Sequence, residues 1–202
     1  MFRALLLACA LAPGTLRVDC PTPADLARGV RLTLGDGEVQ VVRTSGDSAV
    51  ANIERSWPDG QVVAHDYAWG LFLIGTTASS TGEPPVSNNS FVEPTNLPRP
   101  GPATNVTIPR VRYLGGGYPP EFREEYRMGP LGSLTLEGCE FRAFEIGRTR
   151  TDVMTWEGKP PAVPEPAGEW AYLADLGFAI ERWGYSLNGP REIEVLKIEA
   201  VP

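Results

Sequence analysis

The sequence predicts an all-β fold: an antiparallel curved sheet or half-barrel with one short helix and long Pro-rich loops. Three observations lead there. Apolar and polar residues alternate over short runs, as where Val30, Leu32 and Leu34 interleave with Arg31 and Thr33; this is the period of a half-buried strand. Turn chemistry separates the runs, as at Gly35-Asp36-Gly37 and Trp57-Pro58-Asp59-Gly60, where Asp-Gly favours a hairpin and Pro presets φ. Finally, 22 glycines and 20 prolines among 202 residues favour many turns over long helices. About eight to ten strands are expected.

The chain opens on Arg3 and the apolar run 4–12, followed by Pro13-Gly14. A basic start, a short apolar stretch and small residues form a secretory signal peptide, too short to span a bilayer. Leu6-Leu7-Ala8-Cys9 also fits a lipoprotein-type box in which Cys9 would carry lipid. The apolar run ahead of Cys9 is short for that role. We therefore read residues 1–18 as the leader, cleaved between Ala10 and Val18, and residues 19–202 as one secreted β-rich domain. No later segment is apolar for long enough to cross a membrane.

The first strands are expected at 30–34, 38–44 and 49–56. After the turn at Trp57–Gly60, strands are expected at 61–67 and 69–75, completing a meander. Residues 76–109 are dense in Pro, Ser, Thr and Asn, with Pro84-Pro85 and Pro98-Arg99-Pro100-Gly101-Pro102. They read as a long loop. The short helix is expected over 119–127, where Pro119-Pro120 precede Glu121, Glu124 and Glu125, because prolines and acids favour a helix start. Residues 131–136 and 139–146 read as a hairpin around Glu137-Gly138, and 159–166 as a second Pro-rich loop. Strands at 170–175 and 176–185 lead to a turn at Asn188-Gly189. In the closing run 192–201, Ile193 and Val195 occupy one phase while Leu196 and Ile198 occupy the other. Either a bulge intervenes or both faces are covered.

Of three cysteines, Cys9 lies in the leader. Cys20 and Cys139 remain, and an even pair in an exported chain reads as one disulfide. The net charge of −7 opposes nucleic-acid binding, which needs a cationic patch. His65 is the single histidine, so a multi-histidine metal site is excluded. No Gly-x-Ser-x-Gly elbow accompanies it, and Gly115-Gly116-Gly117 lacks the Lys-Ser/Thr of a phosphate loop. No catalytic residue, metal or cofactor is expected. Among the aromatics, Trp69, Phe72, Tyr172, Phe178 and Trp183 could line a pocket for an apolar ligand. The same rings could equally be the packed core of a sheet.

The segment 172–180 (Tyr-Leu-Ala-Asp-Leu-Gly-Phe-Ala-Ile), the Asn188-Gly189 turn and the return Glu194-Val195-Leu196-Lys197-Ile198-Glu199 resemble the closing hairpin of uncharacterised bacterial periplasmic β-domain proteins. They also resemble lipoprotein-carrier (LolA/LolB-like) half-barrels. Asp19-Cys20-Pro21 and the segment 24–30 resemble the mature start of similar exported proteins. The resemblance implies a periplasmic location and a curved antiparallel sheet, and it brings no catalytic residue. The expected function is a non-enzymatic exported binding or carrier module of the cell envelope for an apolar ligand. The alternative is a structural or protein-interaction component of the periplasm, with an envelope protein as partner.

Overall fold

The computed structural model describes residues 19–44, 49–79, 86–89, 96–112, 121–153, 163–186 and 189–202. The expected leader, the helix-start prolines 119–120 and the glycine run 115–117 lie outside them, as do residues 159–162 of the second Pro-rich loop and Asn188. One 3-10 turn, Pro23–Ala27, is followed by strands β1 Val30–Leu34, β2 Val39–Thr44, β3 Val50–Ser56, β4 Val62–Ala68, β5 Phe72–Ser79 and β6 Val86–Asn89. The chain continues through β7 Asn105–Arg112, β8 Glu121–Met128, β9 Gly132–Leu136, β10 Cys139–Asp152 and β11 Glu165–Leu173. It ends with β12 Phe178–Ser186, β13 Gly189–Glu192 and β14 Val195–Ala200. The all-β antiparallel class is as expected. The strands number fourteen among the described residues, beyond the expected count, and they form two sheets rather than one.

The first sheet runs β14-β1-β2-β3-β4-β5-β6 and the second β13-β12-β11-β10-β8-β7, with β9 also on β10. All pairs are antiparallel. The meander of sequential hairpins arises where the turn residues place it. Leu34 accepts from the Gly37 amide across the first turn, and Trp57 accepts from Gly60 across the second. In β1, Val30, Leu32 and Leu34 are buried while Arg31 and Thr33 are half-buried. β10 is long enough to take β9 along residues 139–143 and β8 along 146–152, with β11 on its other side.

Two apolar cores result, and the second sheet separates them. Phe141, Ala143, Ala171, Leu173, Phe178 and Ile180 meet Val30, Leu32, Val42 and Ile53 of the first sheet. Phe144, Ile146 and Tyr172, of opposite phase on β10 and β11, join Phe72, Tyr126, Met128, Val106 and Leu97. A strand covered on both faces gives up the clean alternation that marks a half-buried one. The Cys20–Cys139 disulfide forms, with Cα atoms 5.5 Å apart, and holds the 3-10 turn so that Leu26 packs into the first core.

Two local expectations change and a third is resolved. Residues 121–127, the described part of the expected helix, lie in strand β8. Its inward set is Phe122, Glu124, Tyr126 and Met128, and the acid at the second position hides an otherwise regular period of two. Glu124 tolerates burial because Arg148 and Arg150 meet it. The segment 76–109 is not loop throughout: β5 extends to Ser79, β6 pairs with β5, and β7 begins at Asn105. Pro109 fits in β7 because that strand is an edge and its register shifts between Ile108 and Val111, the places where a strand accepts proline. The phase change near 193 is the expected bulge: Leu196 is skipped where the register against β1 passes from Leu34 opposite Val195 to Thr33 opposite Lys197, so Val195 and Ile198 both meet the first core while Leu196 is exposed. The chain leaves the second sheet after β13 and enters the first at β14. Gly35 donates to the Glu194 carbonyl at the crossing.

Candidate functional site

β4 and β5 are joined by Trp69-Gly70, both at positive φ (53° and 65°), with Leu71 donating to the Ala68 carbonyl. This is the backbone of a type I′ turn, which usually carries Asn-Gly. A tryptophan in the left-handed region costs roughly 1–2 kcal/mol. The surroundings hold it there. Its indole Nε1 donates to the Leu97 carbonyl at 2.8 Å, and the Tyr172 hydroxyl donates to the Trp69 carbonyl at 3.0 Å. Gly70 is pressed against the β11–β12 turn. The Ala179 amide donates to its carbonyl, and a Cβ at Gly70 would lie 2.4 Å from the Gly177 carbonyl oxygen.

These two turns and the 3-10 turn enclose a cleft of about 490 Å³ lined by Trp69, Tyr172, Leu26, Leu176, Arg99 and Asp175, among others. The Arg99 guanidinium lies over the Trp69 ring, 5.4 Å from its centroid. Burial pushes the Tyr172 hydroxyl up to about 12, against the opposing pull of Arg99, so it stays a neutral donor. Asp175 is taken: the Arg142 amide and its Nε each donate to its carboxylate at 2.7 Å. Arg99, which is exposed, forms no ion pair among the described residues. The cleft thus sets apolar side chains such as Leu26, Leu176 and the Trp69 ring beside polar ones, with one cation that has no carboxylate partner among the described residues.

Of the five candidate pocket residues, Trp69 and Tyr172 line this cleft. Phe72 packs behind them in the second core, edge-on to Tyr126 at 5.0 Å. Phe178 is fully buried in the first core. Trp183 sits elsewhere, beside Glu169 and Arg182 on another part of the second sheet. Sequence reading missed Arg99, which fell inside a segment read as loop. A signal was present: prolines on both sides restrict its backbone and so fix where its side chain starts. Leu97 beside it is buried, which anchors the segment.

The carboxylates and the histidine are held by other groups. Glu124 accepts from the Tyr126 hydroxyl at 2.7 Å and from Arg150 at 2.9 Å. Burial raises the Glu124 pKa, but Arg148, Arg150 and Tyr126 together outweigh this and hold it below the usual value. His65 lies beside Thr76, with Nδ1 and Oγ1 3.1 Å apart, and beside Tyr67. Burial, then Arg55, lower its pKa from 6.5 to about 4, against the pull of Glu38 and Asp66.

The unfolded chain therefore binds the His65 proton more tightly than the folded one. Stability from this group is complete above about pH 6.5 and falls as the pH drops towards about 4. Glu124 adds to the loss at lower pH, because its folded pKa is also depressed. In urea titrations at stepped pH, His65→Gln is expected to flatten the upper part of this slope. An unchanged slope would assign it to other groups.

No family model and no curated protein matches the chain. Among solved structures, the hypothetical lipoprotein YmcC from Escherichia coli is similar over 84% of this chain and 86% of that one. The sequence identity is 11% and the TM-score 0.43.

Proposed function

We propose that this chain is a non-enzymatic exported binding or carrier module of the cell envelope, and that its ligand is a small molecule with an apolar body and an anionic group. The observation that carries the reading is Arg99, lying over Trp69 in a cleft that Leu26, Leu176 and Tyr172 also line. A cation in such a place recognises an anion, and the walls recognise what the anion is attached to. Export is supported by the leader-like opening and by the Cys20–Cys139 bridge, since such bridges persist in oxidising compartments. A binding role rather than catalysis is supported by the side chains that would have to do chemistry. Glu38 and Glu124 are engaged by arginines, and His65 is half-buried as a weak base.

The test uses 1-anilinonaphthalene-8-sulfonate, which combines a planar apolar body with a sulfonate. Titration into the oxidised protein should give saturable fluorescence. Arg99→Gln should weaken binding about tenfold, which corresponds to about 1.4 kcal/mol, with no change in melting temperature. No binding, or equal binding by the variant, would overturn the reading.

A further inference from the structure

The two sheets come close to joining along a second line. β9 pairs with β10 and β14 with β1, and among the described residues neither has a partner on its other side. The two open edges are neighbours across a groove of about 470 Å³ lined by Leu134, Leu136, Ile180, Ile193 and Val195. Ile180 belongs to the first core, and the other four pack against it half-buried. The groove is therefore an opening into that core and shares no lining residue with the Trp69 cleft.

The edge of β9 has a second peculiarity. Natural sheets blunt an open edge with charges, proline or a bulge. β14 follows this practice, with Lys197 and Glu199 and a register shift against β1. β9, Gly-Ser-Leu-Thr-Leu, carries none of these devices. It presents backbone donors and acceptors beside a groove with an apolar floor and polar walls that include Thr135. The groove is also charged at one wall. Arg182 lies 3.8 Å from Glu145, while the exposed Glu192 and Glu194 form no ion pairs among the described residues.

We propose that this seam is a docking site for an extended segment of another polypeptide, which adds as a strand to β9. Alternate apolar side chains of the segment enter the groove, and a flanking Lys or Arg meets Glu192 and Glu194. Strand addition draws its affinity from main-chain hydrogen bonds and its selectivity from alternate side chains. The open edge, the apolar floor and the acidic wall each match one part of such a segment. The inference stands independently of the ligand proposed for the Trp69 cleft.

The probe is a blocked, fluorescein-labelled peptide, Lys-Val-Thr-Val-Thr-Val-Lys, titrated into the full oxidised protein by fluorescence anisotropy. Two further forms carry N-methyl groups on all valines or on all threonines, which removes the backbone donors along one edge or the other. The parent peptide is expected to bind. One methylated form should bind at least tenfold more weakly, and the other should bind like the parent. The double variant Glu192→Lys/Glu194→Lys, both exposed, should weaken binding about tenfold without changing the melting temperature. Leu134→Asp should abolish it, with circular dichroism reporting whether the fold is kept. Failure of the parent to bind, or equal binding by all three forms, would overturn the proposal. So would a protein dimer, seen by sedimentation, that the peptide dissociates, because the seam would then belong to a second copy of the chain.

Discussion

Glu38→Ala is expected to destabilise the fold by about 3–5 kcal/mol, the cost of leaving a buried charge without its partner. Glu38 has no solvent exposure. It accepts from Arg55 Nε at 2.6 Å and Arg55 Nη2 at 2.9 Å, and from Gln40 at 2.7 Å. Arg191 lies 3.6 Å away. Since Arg191 is on β13 and Arg55 on β3, one carboxylate holds both sheets. Its loss strands the Arg55 guanidinium, whose side chain is 18% exposed. The double variant Glu38→Leu/Arg55→Met removes both charges and should recover most of the loss, because an apolar pair of similar volume often replaces a buried ion pair at little cost. Urea midpoints of wild type, both single variants and the double variant decide the matter. Additive losses would mean that Glu38 and Arg55 do not act as a pair.

The second large effect is at the disulfide. Cys20 and Cys139 are 119 residues apart, and chain-entropy arithmetic for a loop of that length gives up to about 5 kcal/mol. That is a large share of the 5–15 kcal/mol that holds a typical domain together. Reductant, or Cys20→Ala/Cys139→Ala, should lower the denaturation midpoint to the same value, and reductant should then leave the double variant unchanged. A midpoint insensitive to reductant would show that Leu26 and the 3-10 turn hold their place without the bridge.

The residues themselves explain which parts of this architecture can be read in advance. β1 to β4 were legible because one face is apolar and the hairpins carry explicit turn residues such as Asp36-Gly37 and Pro58-Asp59-Gly60. β8 was not, because Glu124 occupies an inward position that only Arg148 and Arg150, two strand-lengths of sequence away, make tolerable. The Trp69-Gly70 turn was hidden for a related reason. Its positive φ at tryptophan is sustained by Leu97 and Tyr172, which no local pattern announces. Of the cleft, Trp69 and Tyr172 were visible as aromatics, but their pairing depends on tertiary placement. Phe72 and Phe178 are chemically the same kind of residue and became core instead. The bulge at Leu196 did leave a trace, the phase change from Val195 to Ile198. The passage of the chain from β13 in one sheet to β14 in the other left none.

The position of β14 bears on the order in which the protein acquires its structure. β14 pairs with β1, Val30 opposite Ala200 and Leu32 opposite Ile198, so nearly the whole chain lies between the two strands. During synthesis, β1 to β5 emerge early, but the N-terminal sheet keeps an open flank until the final strand arrives. Pairings this distant in sequence are slow to find, and an unpaired strand edge is a target for misassembly in the meantime. Late completion by the last strand makes the C-terminal residues the timing element of folding. It also makes the interval before they arrive the period in which a chaperone would be most useful.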